Sequence, residues 1–360
     1  MRRTFIEIGE EAKMKKLLYL LTLSSFLLSS TFLAPGAQAA TKLKVGIAYD
    51  IGGPGDKSLN DSASAGLTRS KKAFSIPTVE VTATVGTPAE RETRLRFLLA
   101  QGCNPIIVIG YRYAETLKKI AAENPNVSFA IVNNATVDLL NVASLVFGTN
   151  QSAYLAGAAA SLASKTGKIG YIGSANPPAF DSQESGFVAG VKATNSNASL
   201  SIKYLQNPSS FSGYSDPTEA KAVATAMIAS GVDVIYSAAD GSTAGTLAAI
   251  TGKKAWMIGS DSDQYLMASA SQRKNILSST IKRVDIAVYD FISTSVQGST
   301  VNDVLDSQAG IYGRLYNLKA SGVELAYSGG FLNSYKSKLN TIKSGIASGK
   351  IVVPTDGFVK

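Results

Sequence analysis

Residues 43–61 have the sequence Leu-Lys-Val-Gly-Ile-Ala-Tyr-Asp-Ile-Gly-Gly-Pro-Gly-Asp-Lys-Ser-Leu-Asn-Asp, an apolar run followed by a glycine-rich loop. The apolar run predicts a buried strand, and the small polar residues after the loop are typical of a helix start. Such a loop lies at the carboxyl end of its strand, where α/β proteins bind small ligands. Asp56 and Asp61, with only Lys57 beside them, favour a ligand rich in hydroxyl and amine groups over a phosphate.

The strand-then-helix pattern recurs along the chain. Short apolar runs predict strands at 43–49, 79–85, 106–110, 128–133, 169–173, 200–205, 233–237, 255–259 and 276–281. Ala-, Lys- and Leu-rich stretches with helical spacing separate most of them. This alternation predicts an α/β protein with two Rossmann-like lobes, each built on a parallel sheet, and a ligand cleft between their strand ends.

A passage between the two lobes is predicted near residue 148, because the alternation begins again after it. We expect lobe 1 to comprise 41–148 plus 280–305, and lobe 2 to comprise 149–279 plus 306–360. The strand at 276–281 and the helix at 284–297 are interpreted as a return toward lobe 1, and 311–328 as β segments.

The first 39 residues are predicted to be a secretory signal peptide. A cationic start at Met14-Lys15-Lys16 precedes an apolar stretch, and Ala37-Gln38-Ala39 forms a cleavage site. Glu10-Glu11-Ala12-Lys13 would be encoded by purine-rich codons, which indicates a translated ribosome-binding site, so the true start is expected at Met14. A membrane anchor is the alternative, but hydroxyl residues interrupt the stretch. No cysteine stands at the cleavage site itself, so we expect a soluble, non-lipidated protein in the periplasm or outside the cell.

Composition excludes several classes of chemistry. The 360 residues include no histidine and one cysteine, Cys103, which rules out Ser-His-Asp catalysis, histidine-bound zinc and an intrachain disulfide. We expect Cys103 to be a small buried residue. The formal net charge is +9, but the basic residues are dispersed, so nucleic-acid binding is not favoured. Neither a metal nor a cofactor is predicted.

Polar or aromatic residues follow several predicted strands and are the candidate ligand-binding residues. They are Asp50, Tyr111, Asn133, Tyr214, Asp240, Gly241, Asp261 and Lys282. A planar base can stack on the ring of Tyr111 or Tyr214, although core packing is the favoured explanation for each ring taken alone.

Asp261 and Asp263 are the strongest candidates for ligand binding, because both follow the apolar strand at 255–259. A carboxylate there can accept two hydrogen bonds from a vicinal diol such as that of ribose, with Lys282 balancing its charge. The alternatives are a helix N-cap or turn acid for each aspartate and an ordinary surface role for the lysine. A magnesium phosphotransferase is disfavoured, because Gln264 and Tyr265 follow the motif. The phosphate-loop and dinucleotide motifs are lacking in residues 50–61.

Three groups of motifs carry a resemblance to a known family. They are Asp56-Lys57-Ser58-Leu59-Asn60-Asp61, Gly259-Ser260-Asp261-Ser262-Asp263-Gln264 and Lys282-Arg283-Val284-Asp285, and glycine motifs around 157 and 190 accompany them. The chain resembles the basic membrane protein family of bacterial ABC transporter substrate-binding proteins, which includes purine nucleoside receptors. The resemblance covers nearly all of the chain after the predicted signal peptide.

The resemblance implies a type I periplasmic-binding-protein fold that closes on its ligand. It also implies that Asp261 and Lys282 hold the ribose and that Asn60 and its neighbours approach the base. Leu59 replaces the family's usual stacking phenylalanine, and Asp240-Gly241 replaces a usual Gly-Gly, which places an extra carboxylate at the cleft.

Three functions remain open from the sequence. The first is a monomeric receptor that delivers a nucleoside or a related ribose-bearing molecule to an ABC permease. The second is a nucleoside or glycoside hydrolase that uses paired carboxylates, which needs no histidine. The third is a ligand-binding receptor for a signalling partner. Release of free base from a nucleoside would distinguish the hydrolase from the receptors.

Overall fold

The computed structural model describes residues 43–175, 181–206, 212–298, 305–306 and 311–355. The predicted signal peptide at 1–39 and the start at Met14 lie outside the described residues. Within these ranges, no helix combines the length and the apolar character needed to cross a membrane.

Two α/β halves follow one another along the chain. The first comprises β1 (Val45–Tyr49), α1 (Leu59–Phe74), β2 (Thr78–Thr82), α2 (Pro88–Ala100), β3 (Ile106–Ile109), α3 (Ala114–Glu123), β4 (Phe129–Val132) and β5 (Val142–Phe147). The second begins with α4 (Thr149–Ala163), β6 (Lys168–Ala175), α5 (Asp181–Thr194), β7 (Ser199–Gln206), α6 (Pro217–Ala229), β8 (Val234–Ala238), α7 (Thr243–Ile250) and β9 (Trp256–Gly259). The chain continues with α8 (Gln264–Met267), α9 (Ala270–Arg273), β10 (Ile276–Lys282), α10 (Val284–Val296), β11 (Leu305–Asp306), β12 (Ile311–Tyr316), β13 (Val323–Leu325) and α11 (Lys336–Ala347).

The strands form two sheets. The first has the order β11-β12-β5-β4-β3-β1-β2, and the second has the order β13-β10-β9-β8-β6-β7. Neighbouring strands are parallel except for β11 with β12 and β10 with β13, which are antiparallel edge pairs. The central parallel strands are buried on both faces, as all four residues of β3 and of β4 show. The predicted α/β class with parallel sheets is confirmed.

Helix starts follow from local capping chemistry. Thr87 accepts a hydrogen bond from the Glu90 N–H, and Pro88 occupies the first turn of α2. Asp216 caps α6 in the same way, with Pro217 after it. These caps place each helix directly after the loop at a strand's carboxyl end.

Two assignments to the halves differ from the sequence prediction. All of β10 lies in the second sheet, so the chain returns to the first half at Arg283 rather than at residue 280. The strand β12, predicted to belong to lobe 2, pairs in parallel with β5 in the first sheet. It fits there because Gly313 lies against the Ser144 backbone, where a Cβ would lie 2.5 Å from the Ser144 nitrogen. The chain therefore crosses between the halves near Gly148, at Arg283 and again at 317–322.

Each sheet carries an apolar core on both of its faces. The helix α10 packs on α1, where Gly66 allows close approach to the Asp285 backbone. Cys103 is 2% exposed in the core of the first half, which confirms its predicted burial.

Candidate functional site

Four neighbouring strands of the second sheet bring polar side chains to one edge. Lys282 ends β10, Asp261 follows β9, Asp240 follows β8, and Ser174 lies near the end of β6. Because β10, β9, β8 and β6 are consecutive in the sheet, their carboxyl ends form a line. We call these four residues the strand-end row.

An ion pair occupies one end of the strand-end row. Lys282 Nζ lies 2.9 Å from Asp261 Oδ1, and the side chains are 11% and 15% exposed. The backbone also joins them, since the Lys282 N–H donates to the Asp261 carbonyl oxygen at 3.0 Å. A carboxylate accepts up to four hydrogen bonds and an ammonium donates three, so the pair retains capacity for the hydroxyl groups of a ligand.

Asp240 stands at the middle of the strand-end row. Its Oδ2 accepts a hydrogen bond from Ser174 Oγ at 3.2 Å, and its backbone φ of 47° lies in the left-handed region. Burial by surrounding protein atoms, followed by the negative charge of Asp261, raises the pKa of Asp240 to about 7. The residue nevertheless keeps open surface. Asp240 therefore places a second carboxylate beside an ion pair that already contains one.

Asp263 has the helix-capping role that the sequence analysis gave as the alternative to ligand binding. It accepts a hydrogen bond from the Tyr265 N–H at 3.2 Å and another from the Ser328 hydroxyl. It therefore caps the short helix α8. Of the two aspartates after β9, only Asp261 belongs to the strand-end row.

The acids of the glycine-rich loop organise the loop itself. Asp56 accepts hydrogen bonds from the N–H groups of Ser58, Asn60 and Asp61, at 2.8 to 3.1 Å. Asp61 accepts from the N–H groups of Gly55 and Lys57. These bonds fix the conformation of the loop at the start of α1. They also give both carboxylates hydrogen-bond partners within the protein, so neither carboxylate needs a ligand.

Asn60 and Leu59 are also held by the protein. Asn60 is 3% exposed, its Oδ1 accepts from the Asp50 N–H at 3.2 Å, and its Nδ2 donates to Asp56 at 3.0 Å. Leu59 is half-buried and packs against the core of the first half. Asn60 thus ties the end of β1 to α1.

Asp50 has a buried cationic partner that the sequence did not indicate. Arg91 Nη2 lies 3.2 Å from Asp50 Oδ1, and the arginine side chain is 5% exposed. Its guanidinium group also lies over the Tyr113 ring, 5.4 Å from the centroid. The partner was missed because Arg91 lies inside α2, where an arginine is usually a surface residue.

Tyr111, Arg112 and Tyr214 connect the halves across the cleft. Tyr111 and Arg112 follow β3 of the first sheet, and Tyr214 lies in the turn before α6 of the second half. The hydroxyl oxygens of Tyr111 and Tyr214 are 3.2 Å apart, and Arg112 lies 5.0 Å from the Tyr214 ring centroid. We call these three residues the cross-cleft contact. Arg112 also extends its positive charge toward Asp240.

Two further candidates lie at the strand ends. Asn133 follows β4, is half-buried, and adopts a left-handed backbone with φ of 64°. Its N–H donates to the Leu145 carbonyl at 2.9 Å. Gly241 is exposed beside Asp240, and a Cβ added there would lie 3.1 Å from the Tyr214 carbonyl oxygen. The small residue therefore allows the Tyr214 turn to approach Asp240.

A hydroxyl network links α5, β8 and β10 in the second half. The Tyr236 hydroxyl lies 2.9 Å from Thr280 Oγ1 and accepts a hydrogen bond from Gln183 Nε2 at 2.5 Å. Gln183 and Ser174 were not predicted, because a single amide or hydroxyl in a helix or strand carries no distinctive sequence signal. In the ranges that the structure describes, no group of three or more acidic, histidine or cysteine side chains is arranged to hold a metal ion.

The fold and the cleft define a class of protein, the two-lobed solute-binding proteins. The family described as "ABC transporter substrate-binding protein PnrA-like" matches residues 42–356, and the chain belongs to this Bmp family. Proteins of this family act outside the cytoplasm, bind a small molecule and deliver it to the permease of an ABC transporter.

Two curated relatives and one solved structure show the extent of the similarity. The chain is 31% identical to the ABC transporter nucleoside-binding protein BmpA of Lactococcus lactis subsp. cremoris over 330 residues, which cover 88% of this chain and 90% of the relative. It is 28% identical to basic membrane protein A of Borreliella burgdorferi, with 95% and 96% covered. A crystal structure of an ABC transporter solute-binding protein from Aeropyrum pernix K1 superposes with a TM-score of 0.68 at 26% identity, covering 87% of this chain and 94% of that one.

Proposed function

We propose that this chain is the receptor for a nucleoside, or a related ribose-bearing molecule, of an ABC transporter. The observation that carries the proposal is the Asp261–Lys282 ion pair at adjacent strand ends in the cleft. Together the two groups can accept from and donate to the two hydroxyls of a vicinal diol. The nucleoside-binding protein of Lactococcus lactis named above supports this ligand class.

The proposed ligand set includes both halves of the molecule. Asp261, Lys282 and Asp240 contact the sugar, while Tyr111, Asn133, Tyr214 and Gly241 line the cleft around it. Asp50, Leu59, Asn60 and Asp61 shape the opposite wall through the contacts described above. We propose that the two halves are hinged lobes that close on the ligand, as in other two-lobed receptors.

Isothermal titration of residues 40–360 tests the proposal directly. We expect saturable one-to-one binding of at least one ribonucleoside among adenosine, guanosine, inosine, cytidine and uridine, and much weaker binding of the matching 2′,3′-dideoxynucleoside. Equal affinity for the dideoxy compound would contradict a diol held by Asp261 and Lys282. Mass spectrometry of small molecules released from natively purified protein identifies the base.

We infer that the protein binds its ligand without converting it. Incubation with each nucleoside is expected to leave it intact, with no free base detected by chromatography. Release of base in proportion to protein concentration would support the hydrolase instead, with Asp240 and Asp261 as its carboxylates.

We propose secretion through the signal peptide at 1–39, with a soluble, monomeric and non-lipidated product. N-terminal sequencing of secreted protein is expected to begin at Ala40. A mature chain that retains residues 1–39 would contradict cleavage and support the membrane anchor.

The cross-cleft contact leads to a prediction about ligand exchange. Tyr111→Phe and Tyr214→Phe each remove one hydroxyl of the pair, and each should weaken ligand binding by about 5-fold, mainly through faster dissociation. Because both variants break the same contact, the double variant should be no weaker than either single variant. Stopped-flow dissociation rates measure the effect. Additive losses would show that each tyrosine acts separately, as direct ligand contacts do.

A further inference from the structure

We propose that Asp240 is a specificity-determining residue, which binds a hydrogen-bond donor at the 5′ position of the ligand's ribose and rejects an anionic group there. The inference rests on the proposed function, since it takes the position of the ribose from Asp261 and Lys282. It adds the chemical class of the 5′ substituent, namely a hydroxyl or an amine rather than a phosphate.

The first argument is position. Asp240 follows β8, which is the strand directly beside β9 and one further from β10. Neighbouring strands are about 4.8 Å apart, so Asp240 lies roughly one strand spacing from Asp261 along the strand-end row. In a ribonucleoside, the 5′ oxygen lies across the furanose ring from the diol, at a comparable separation. A ribose held by Asp261 and Lys282 can therefore turn its 5′ substituent toward Asp240.

The second argument is charge. Lys282 neutralises Asp261 at 2.9 Å. Asp240 instead accepts from the neutral hydroxyl of Ser174, and it forms no ion pair within 4.0 Å among the described residues. The strand-end row by itself carries two acids and one base. A donor or a cation on the ligand offsets this excess, whereas a phosphate placed beside Asp240 meets like charge and is repelled.

The surroundings of Asp240 also make its charge sensitive to pH. The charged and titratable groups that face it are Asp261 and Lys282 in the strand-end row and Arg112 and Tyr214 in the cross-cleft contact. Burial and the Asp261 charge raise the pKa of Asp240, while Lys282 and Arg112 oppose this rise. Near neutral pH, a cationic ligand therefore favours the ionised carboxylate and binds more tightly as Asp240 loses its proton.

The test compares Asp240→Asn with the wild type. Asparagine tolerates the left-handed backbone at this position and can still accept the Ser174 hydroxyl, so the variant removes the charge with little change in shape. Asp240→Gly, which also tolerates this backbone, is the second variant. Glu123→Gln is the control, since Glu123 is an exposed acid at the carboxyl end of α3, away from the cleft edge of its sheet.

The probes are adenosine, guanosine and uridine, each with its 5′-amino-5′-deoxy, 5′-deoxy and 5′-monophosphate forms. For the wild type and Glu123→Gln, we expect the amine to bind about 10-fold more tightly than the nucleoside and the 5′-deoxy form about 10-fold more weakly, since hydrogen bonds to charged groups are the stronger class. The monophosphate should not bind measurably. In Asp240→Asn, the amine and the nucleoside should bind within about 3-fold of each other, and monophosphate binding should become measurable.

A pH series separates charge from shape. Between pH 8 and pH 6 the advantage of the amine should shrink in the wild type, because Asp240 gains a proton, and should stay constant in Asp240→Asn. An unchanged ranking of the four 5′ forms in both Asp240 variants would overturn this inference and leave the proposed function standing. If the folded wild type bound none of the nucleosides, both would fail.

Discussion

Asp261→Asn is expected to lower the affinity for the bound ribonucleoside by about 100-fold or more, the largest loss of binding among the variants considered. The substitution removes the carboxylate that accepts hydrogen bonds from the diol, and it leaves Lys282, only 11% exposed, without its charge partner. Truncating one member of a buried charge pair in a binding site costs about 2–5 kcal/mol, which corresponds to roughly 30-fold to 4,000-fold in affinity, and 100-fold lies within this range. Titration calorimetry measures the loss.

Asparagine is the informative replacement because Asp261 has a φ of 64°. Alanine would add backbone strain in the left-handed region, and a loss of binding would then mix local refolding with lost chemistry. Asp263→Asn is the matched control, because Asp263 caps α8 and contacts Ser328 rather than Lys282. Its affinity should stay within about 3-fold of the wild type. If Asp261→Asn bound as tightly as this control, the ribose assignment would be wrong.

The strand and helix pattern was predictable because buried parallel strands are nearly continuous apolar runs. The strand at Ile106–Ile109 and the helix at Val284–Val296 match their predicted ranges to within a residue. The sheet to which a late strand belongs was not predictable in the same way. β12 lies beside β5 through contacts between residues about 170 positions apart, and no local pattern records such a pairing.

The candidate site was predictable at the strand ends and not within the loop. Asp261 and Lys282 follow apolar strands, and topology alone brings them to one edge of the second sheet. The polar residues 56–61 were ambiguous, because a carboxylate in a glycine-rich loop can accept backbone N–H groups as easily as ligand hydroxyls. Here Asp56 and Asp61 accept backbone N–H groups. The contact between Tyr111 and Tyr214 joins residues 103 positions apart, so it could be found only from the folded structure.

The glycine motifs around 157 and 190 have a structural explanation rather than a chemical one. The helices α4 and α5 pack closely, and three glycines lie where their backbones meet. A Cβ at Gly157 would lie 2.8 Å from the Val191 nitrogen, and one at Gly190 would lie 2.8 Å from the Tyr154 carbonyl carbon. Both obstacles are helix backbone, which cannot rotate away as a side chain can.

Gly157→Ala and Gly190→Ala should therefore each destabilise the protein strongly. Forcing the helices apart is expected to lower the free energy of unfolding by about 3 kcal/mol, at the upper end of what overpacking usually costs. A loss of this size corresponds to a fall in Tm of roughly 4–5 °C in a chain of this length, measurable by calorimetry or circular dichroism.

Gly345→Ala provides the matched control for both variants. Gly345 also lies inside a helix, α11, but a Cβ there would meet only the end of the Ile351 side chain, 2.8 Å from its Cδ1. That side chain can shift, and alanine improves helix propensity by about 1 kcal/mol over glycine. Its Tm should equal or exceed that of the wild type. If Gly190→Ala unfolded at the same temperature as Gly345→Ala, the close backbone contact of α4 and α5 would be wrong, since no relaxation of side chains can accommodate a methyl group against a carbonyl carbon at that distance.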